Sequence, residues 1–262
     1  IFIICILIIS PQLINANNVG KSEVPSMNDA WYNSLIKIKE NTSDAIITSW
    51  WDFGHWFVAI AERRVTFDGA DQGERIHWVG KSLLTNEENT TISLLRMLNC
   101  DQERPPQILE KFYNNNTPKA IKILNEIIAL NNKEKAIKLL EQEGLNENQI
   151  NEIMDITYCE DIIEQYYITS EDMIGKAGVW AHFGSWDFNK ASMYQSVKNL
   201  NSIQGIELLK NEFNLNEEIA SEYYYQIQTT DADRWIAPWP NYVSGLGSCQ
   251  KQNNSLTCNN NV

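Results

Sequence analysis

The chain has 262 residues, 43% of them apolar and 21% charged, which is enough apolar surface for a packed core and excludes wholesale disorder. Asp and Glu number 34 against 21 Lys and Arg, so the formal charge is −13, and such a surface repels phosphate backbones and excludes nucleic acid as a natural partner. The three histidines (His55, His77, His182) and five cysteines (Cys5, Cys100, Cys159, Cys249, Cys258) fall in no zinc-binding spacing.

Residues 1–9 are unbroken apolar before Ser10 and Pro11. Nine residues make roughly 14 Å of helix, about half the hydrocarbon thickness of a bilayer, so the run cannot span alone. Residues 1–16 therefore read as the end of a transmembrane helix, with a signal-peptide apolar region as the other reading. No other stretch approaches a spanning length, which places residues 17–262 on one side of a membrane, and their acidic balance disfavours the cytoplasmic face.

Residues 17–25 (NNVGKSEVP) read as a polar linker, and Ser26-Met27-Asn28-Asp29 resembles a capping box opening a helix with Trp31, Leu35 and Ile38 on its apolar stripe. The β-branched run 45–50 suits a buried strand, and Arg64-Val65-Thr66-Phe67 a second one. After the turn-like stretch 68–74, helical spacing returns through Ile76, Val79 and Leu83 and again through Ile92, Leu95 and Leu98. Arg104-Pro105-Pro106 marks a change of texture. Residues 105–166 are rich in Lys, Glu, Asn and Ile at helical spacing and read as a helical insertion. Within it Ala120–Leu124 is echoed by Ala136–Leu140, too few copies for a solenoid. Residues 168–188 are dense in Trp, Phe, Gly and His, followed by helical stretches at 190–200 and 203–227. The expected fold is α+β, predominantly α-helical with a small β component, with a core from 26–100 and 168–245.

The sharpest signal is Trp50-Trp51-Asp52-Phe53-Gly54. A carboxylate set between large rings at a strand end sits in a partly dry environment, where it must find a strong hydrogen-bond donor. A ligand could supply that donor; the alternative is plain core packing for Trp50 and Trp51 and helix capping by Asp52 for the run at 55–62.

This motif resembles the WWDYG signature of the catalytic subunit of oligosaccharyltransferases, the membrane enzymes of asparagine-linked glycosylation, with Phe53 in place of Tyr. The likeness to archaeal members continues to Cys100 and returns over 168–188. It implies that Trp50, Trp51 and Asp52, with Phe53 and Gly54 completing the motif, bind the Ser/Thr hydroxyl of an Asn-x-Ser/Thr acceptor. A second family signature, Asp-x-x-Lys-x-x-x-Met/Ile, finds its counterpart in Ser170-Glu171-Asp172-Met173-Ile174-Gly175-Lys176. The spacing is one residue longer, and the position four after Lys176 is Trp180. The resemblance assigns binding roles to Asp172, Met173, Ile174 and Lys176; otherwise Asp172 and Lys176 are a surface ion pair at i and i+4. It further implies transfer of an oligosaccharide from a dolichol-type lipid carrier to acceptor Asn, with this domain on the extracytoplasmic face of the cell membrane. The divalent metal (Mn2+ or Mg2+) and the catalytic carboxylates would lie on a membrane domain outside these residues, so these residues by themselves would not catalyse transfer.

Other features read more plainly. Asp68, Asp71 and Glu74 form a turn and lack an EF-hand pattern, His77 is packed core, Asp187 caps the helix after it, and Trp235 and Trp239 close the core. Cys249 and Cys258 could pair outside the cytoplasm. Asn41, Asn89, Asn115 and Asn253 open Asn-x-Ser/Thr triplets. The competing function is a membrane-tethered carbohydrate-binding or protein-interaction module, because nine Trp and ten Tyr offer rings for stacking on sugars.

Overall fold

Helices dominate the chain, arranged around one three-stranded parallel sheet. The computed structural model describes residues 2–23, 26–239, 249–252 and 255–258. Helix α1 (Phe2–Ser22) is followed by α2 (Asp29–Asn41), whose N-terminus is capped by Asn28, its side chain accepting from the Trp31 N–H. The cap is thus Asn28, and Ser26 is not the cap. Strand β1 (Ile46–Thr48) leads through a 3-10 turn (Trp51–Phe53), a single α turn α3 (Gly54–Trp56) and a π turn (Phe57–Ala61) into β2 (Arg64–Val65). Helices α4 (Arg75–Leu84), α5 (Glu88–Asp101), α6 (Arg104–Phe112), α7 (Thr117–Leu130), α8 (Lys133–Gln142) and α9 (Glu147–Thr157) follow. Next come β3 (Gln165–Tyr167), α10 (Asp172–Gly175), α11 (Ala177–Gly184), α12 (Phe188–Val197), α13 (Ser202–Glu212), α14 (Glu217–Thr229) and α15 (Ala232–Ile236). A hairpin of β4 (Cys249–Gln252) and β5 (Ser255–Cys258) completes the described residues.

The sheet order is β2-β1-β3, all parallel, with Ile46 opposite both Arg64 and Gln165. β1 is central, and every residue in it is buried, as parallel strands covered by helices require. Thr48 and Thr66 hydroxyls bond each other beside the sheet. One core runs from Trp50, Trp78 and Leu94 through Leu109, Leu124, Ile127 and Leu140 to Ile153 and Met154. The stretch read as an insertion is helical, and its apolar faces belong to that same core. The buried Tyr158 hydroxyl donates to the Ile127 carbonyl, and a disulfide joins Cys100 to Cys159, tying the end of α5 to the segment after α9. A second core gathers Met193, Val197, Leu209, Tyr224 and Trp235, and a third holds Leu35, Ile38, Ile47, Phe53 and Phe57.

Several expectations change on contact with the structure. The linker at 17–25 is helical as far as Ser22, since its residues lie exposed and none but Gly20 disfavours the helix strongly. α1 also continues through Pro11, which removes one intrahelical bond without ending the run. Among the described residues no helix is long and apolar enough to cross a membrane. The helical stretch at 203–227 is two helices, because Asn214 takes a left-handed φ of 53° and Asn216 caps α14. The second strand stops at Val65, two residues short of Phe67, and Gln165–Tyr167 is a strand that helical texture concealed. Trp235 is buried as expected, whereas Trp239 is exposed at its edge and stacks on His182 with ring centroids 3.9 Å apart. The register sets Cys249 opposite Cys258, while their sulfurs and Asn253 lie outside what the structure describes.

Candidate functional site

The topology brings the two sequence motifs together by one device. In a parallel sheet all strands end at the same edge, and the loops leaving that edge are where side chains converge. The Trp50–Gly54 motif leaves the end of β1, and the Ser170–Lys176 segment leaves the end of its neighbour β3, so both arrive at the same place.

Asp52 lies in the 3-10 turn and caps nothing, for no side-chain capping bond is made at that turn or at α3. Its Oδ1 is 3.1 Å from Lys176 Nζ, and Lys176 Nζ is in turn 3.0 Å from Asp172 Oδ2. The ammonium therefore bridges two carboxylates from two strand ends. Ser170 Oγ donates to the other Asp172 oxygen. Asp52 Oδ2 is buried and has no hydrogen-bond partner among the described residues. An acceptor of that kind is an unmet demand of roughly 1–3 kcal/mol, more when charged.

The rings around this carboxylate divide in role. Trp50 is fully buried and packs edge-on to Phe67 at 5.7 Å, which is the plain core role. Trp51 is half-buried and reaches the surface. Phe53 packs on Trp31 at 4.7 Å and lies beneath the Lys176 ammonium at 5.2 Å. Gly54 is required by close approach: a Cβ there would stand 2.4 Å from Asp68 Cβ and 2.9 Å from the Phe67 carbonyl oxygen. Met173 is buried, with Ser49 Oγ 3.7 Å from its sulfur, whereas Ile174 is 57% exposed. Only Ile174 of the two presents its side chain to solvent. Trp180, the departure from the expected pattern, braces this turn by donating from Nε1 to the Met173 carbonyl at 2.9 Å.

The charges follow from these contacts. Burial alone would raise the Asp172 carboxyl, but hydrogen bonds from Ser170 and Lys176 and the Lys176 charge outweigh it and hold it below its ordinary value. Burial likewise opposes the Lys176 charge, and the hydrogen bonds and charges of Asp172 and Asp52 outweigh it, raising Lys176 above ordinary lysine. At neutral pH Asp172 is thus an anion facing the Lys176 cation.

A divalent metal does not fit the residues present. Among the described residues no group of three His, Cys, Asp or Glu side chains could hold one. Between Asp52 and Asp172 the cation position is already taken by Lys176. At the turn, Asp68 Oδ1 accepts the N–H groups of Ala70 and Asp71, Asp71 is 2.6 Å from Arg75, and Arg75 is also bound to Glu103 at 3.0 Å. Backbone donors hold Asp68 below its ordinary value, with burial opposing.

Sequence reasoning missed Ser170 as a partner of Asp172, Ser49 and Trp180 as supports of Met173, and the Cys100–Cys159 pair. The first was findable as a hydroxyl two residues ahead of the acid. The cysteines, separated by 59 residues, carried no local signal.

No family model matches the chain, and no solved structure matches it. Two curated archaeal proteins, each named dolichyl-phosphooligosaccharide-protein glycotransferase, are similar to it. The protein of Methanocaldococcus jannaschii is 35% identical over 192 residues, 71% of this chain and 20% of its own length. That of Methanococcus voltae is 32% identical over 213 residues, 78% of this chain and 23% of its own length. The chain thus spans about a fifth of the length of the curated relatives it matches. Across most of its own residues, the chain is similar to these two archaeal dolichyl-phosphooligosaccharide-protein glycotransferases.

Proposed function

We propose that the chain is the acceptor-recognising, extracytoplasmic part of a membrane oligosaccharyltransferase, a glycosyltransferase that moves a lipid-linked oligosaccharide onto Asn of Asn-x-Ser/Thr sequons. In this reading residues 1–16 are the end of the preceding membrane helix, and the metal and catalytic carboxylates lie outside these residues. Relatives of that name support the activity, and the Cys100–Cys159 disulfide suits an oxidising extracytoplasmic compartment.

One observation carries the recognition role: Asp52 offers a buried carboxylate oxygen that has no donor among the described residues, while its other oxygen is held by Lys176. A Ser or Thr hydroxyl is a donor of the right size. Because Oδ2 is buried, the hydroxyl reaches it only as the side chains packed over it move aside. The hydrogen bond formed there is worth roughly 1.5–3 kcal/mol, or about ten- to a hundredfold in affinity over a peptide with Ala at the third position. Burial of the threonine methyl adds about 0.8 kcal/mol and favours Thr over Ser.

The test is photo-crosslinking with an Asn-x-Thr peptide that carries the photoprobe beside Thr, and mapping of the adduct. Labelling of residues 50–54 or 170–176, abolished by Asp52→Ala, supports the reading. Labelling elsewhere, or equal labelling by an Asn-x-Ala peptide, overturns it.

A further inference from the structure

A second concavity lies apart from the Asp52 cluster and shares no residue with it. It is a cleft of about 600 Å³, within the usual range for small-molecule sites, between α4, α7 and the connection from α11 to α12. The cleft exists because α4 and α11 touch through glycines. A Cβ on Gly80 would stand 2.5 Å from the Trp180 carbonyl oxygen, and one on Gly184 would stand 2.4 Å from the Gly80 carbonyl carbon. That contact draws His77 and Lys81 of α4 beneath the turn Gly184–Phe188, with Asn125 of α7 opposite.

The polar groups lining it define what it can hold. His77 is buried, and its Nδ1 lies 2.9 Å from the Phe183 carbonyl oxygen, which can only accept. The ring proton is therefore on Nδ1, and Nε2 carries a lone pair. Nε2 is buried without a partner among the described residues. Burial holds the imidazole neutral by lowering its pKa to about 4. Lys81, partly buried and lowered from ordinary lysine by that burial, donates one proton to Asn125 Oδ1 and has two further protons to give. Asn125 keeps its amide donors. Trp186 and Phe188 line the same cleft, both half-buried, with Phe188 edge-on to His77 at 4.9 Å. Lys81 and Lys122 are matched in charge by Glu126 and Asp187, so the cleft as a whole has no preference for an anion.

We propose that this cleft binds a neutral sugar ring. A hydroxyl can both donate to His77 Nε2, which is buried and comes within reach as the side chains packed over it shift, and accept from Lys81 or Asn125, and a pyranose presents several at fixed angles above an apolar face suited to Trp186. A carboxylate or phosphate could accept from Lys81 but leaves the imidazole lone pair unmet. The inference does not rest on the reading of the Asp52 site, and either can fail alone.

The experiment is saturation-transfer NMR on the chain with methyl glucoside, N-acetylglucosamine and glucuronate as probes. Two variants accompany it: Ala129→Phe fills the cleft from an exposed position, and Asn125→Ala removes the amide. The expected result is millimolar binding of at least one neutral sugar, weakened about tenfold or more by each variant, with chemical shifts of the His77 ring moving on titration. Absence of transfer to every sugar overturns the proposal, as does binding that both variants leave intact or binding confined to glucuronate.

Discussion

Replacing Lys176 by methionine removes the one cation between Asp52 and Asp172 while keeping most of the apolar stem. The Asp172 arm, an i,i+4 pair with the acid 42% exposed, contributes about 0.3–0.5 kcal/mol. The Asp52 arm is a charged hydrogen bond to a side chain 25% exposed, which would be worth roughly 1.5–3 kcal/mol if dry. Lys176 itself is 36% exposed, so solvent screening brings this to the lower end, about 1.5 kcal/mol. The loss is then about 2 kcal/mol, which lowers the folding equilibrium some 30-fold. The pH dependence distinguishes this from lost packing. Asp172 titrates below its unfolded value, so its contribution is complete above about pH 4 and vanishes as pH falls through the lower folded value. Lys176 titrates above its unfolded value, so its contribution is complete below about pH 10 and vanishes as pH rises through the higher folded value. Urea unfolding of wild type and variant therefore shows a plateau of difference near neutrality that narrows at both extremes. Equal stability at pH 7, or a gap that does not begin to shrink as pH falls below about 4, refutes the bridging role.

Three further outcomes follow from other parts of the fold. Replacing both Cys100 and Cys159 by serine opens a loop of 59 residues and costs about 4 kcal/mol by chain entropy, read as a lowered urea midpoint that reductant reproduces in the wild type. An unchanged midpoint would show that the pair is not bonded. Gly54→Ala forces the turn away from Asp68 and destabilises by about 1–3 kcal/mol, with chemical-shift changes centred on 52–54 and 67–69. A neutral result would mean that the turn has slack the geometry does not show. His77 titrates near pH 4 in the folded chain against about 6.5 unfolded, so the unfolded state binds the extra proton and stability falls by up to about 3 kcal/mol between those values. An imidazole NMR titration midpoint near 6.5 would contradict its burial.

Local chemistry made much of this legible in the sequence. Five residues, Trp50 to Gly54, pointed to a carboxylate among rings, and the structure places them at a strand end beside Lys176. Asp187 reads as a cap and is one, accepting the N–H groups of Asn189 and Lys190. What stayed hidden was set by distance along the chain. β3 has only three residues and its pairing with β1 spans more than a hundred positions, so nothing near Gln165 announces a strand. The break at Asn214 needed a left-handed φ that Asn tolerates but does not impose. The bridge from Lys176 to Asp52 depends on the parallel register of β1 and β3, which periodicity cannot supply.

The central claim is that Asp52 reads the hydroxyl of an acceptor sequon. It is tested most directly by the affinity ratio of an Asn-x-Thr peptide to its Asn-x-Ala twin, measured by NMR titration on the chain and on Asp52→Ala. The account predicts a preference for Thr of about ten- to a hundredfold that falls below about fourfold, the share of the methyl group, when the carboxylate is gone. Equal affinity for both peptides, or a Thr preference that Asp52→Ala leaves untouched, would contradict it.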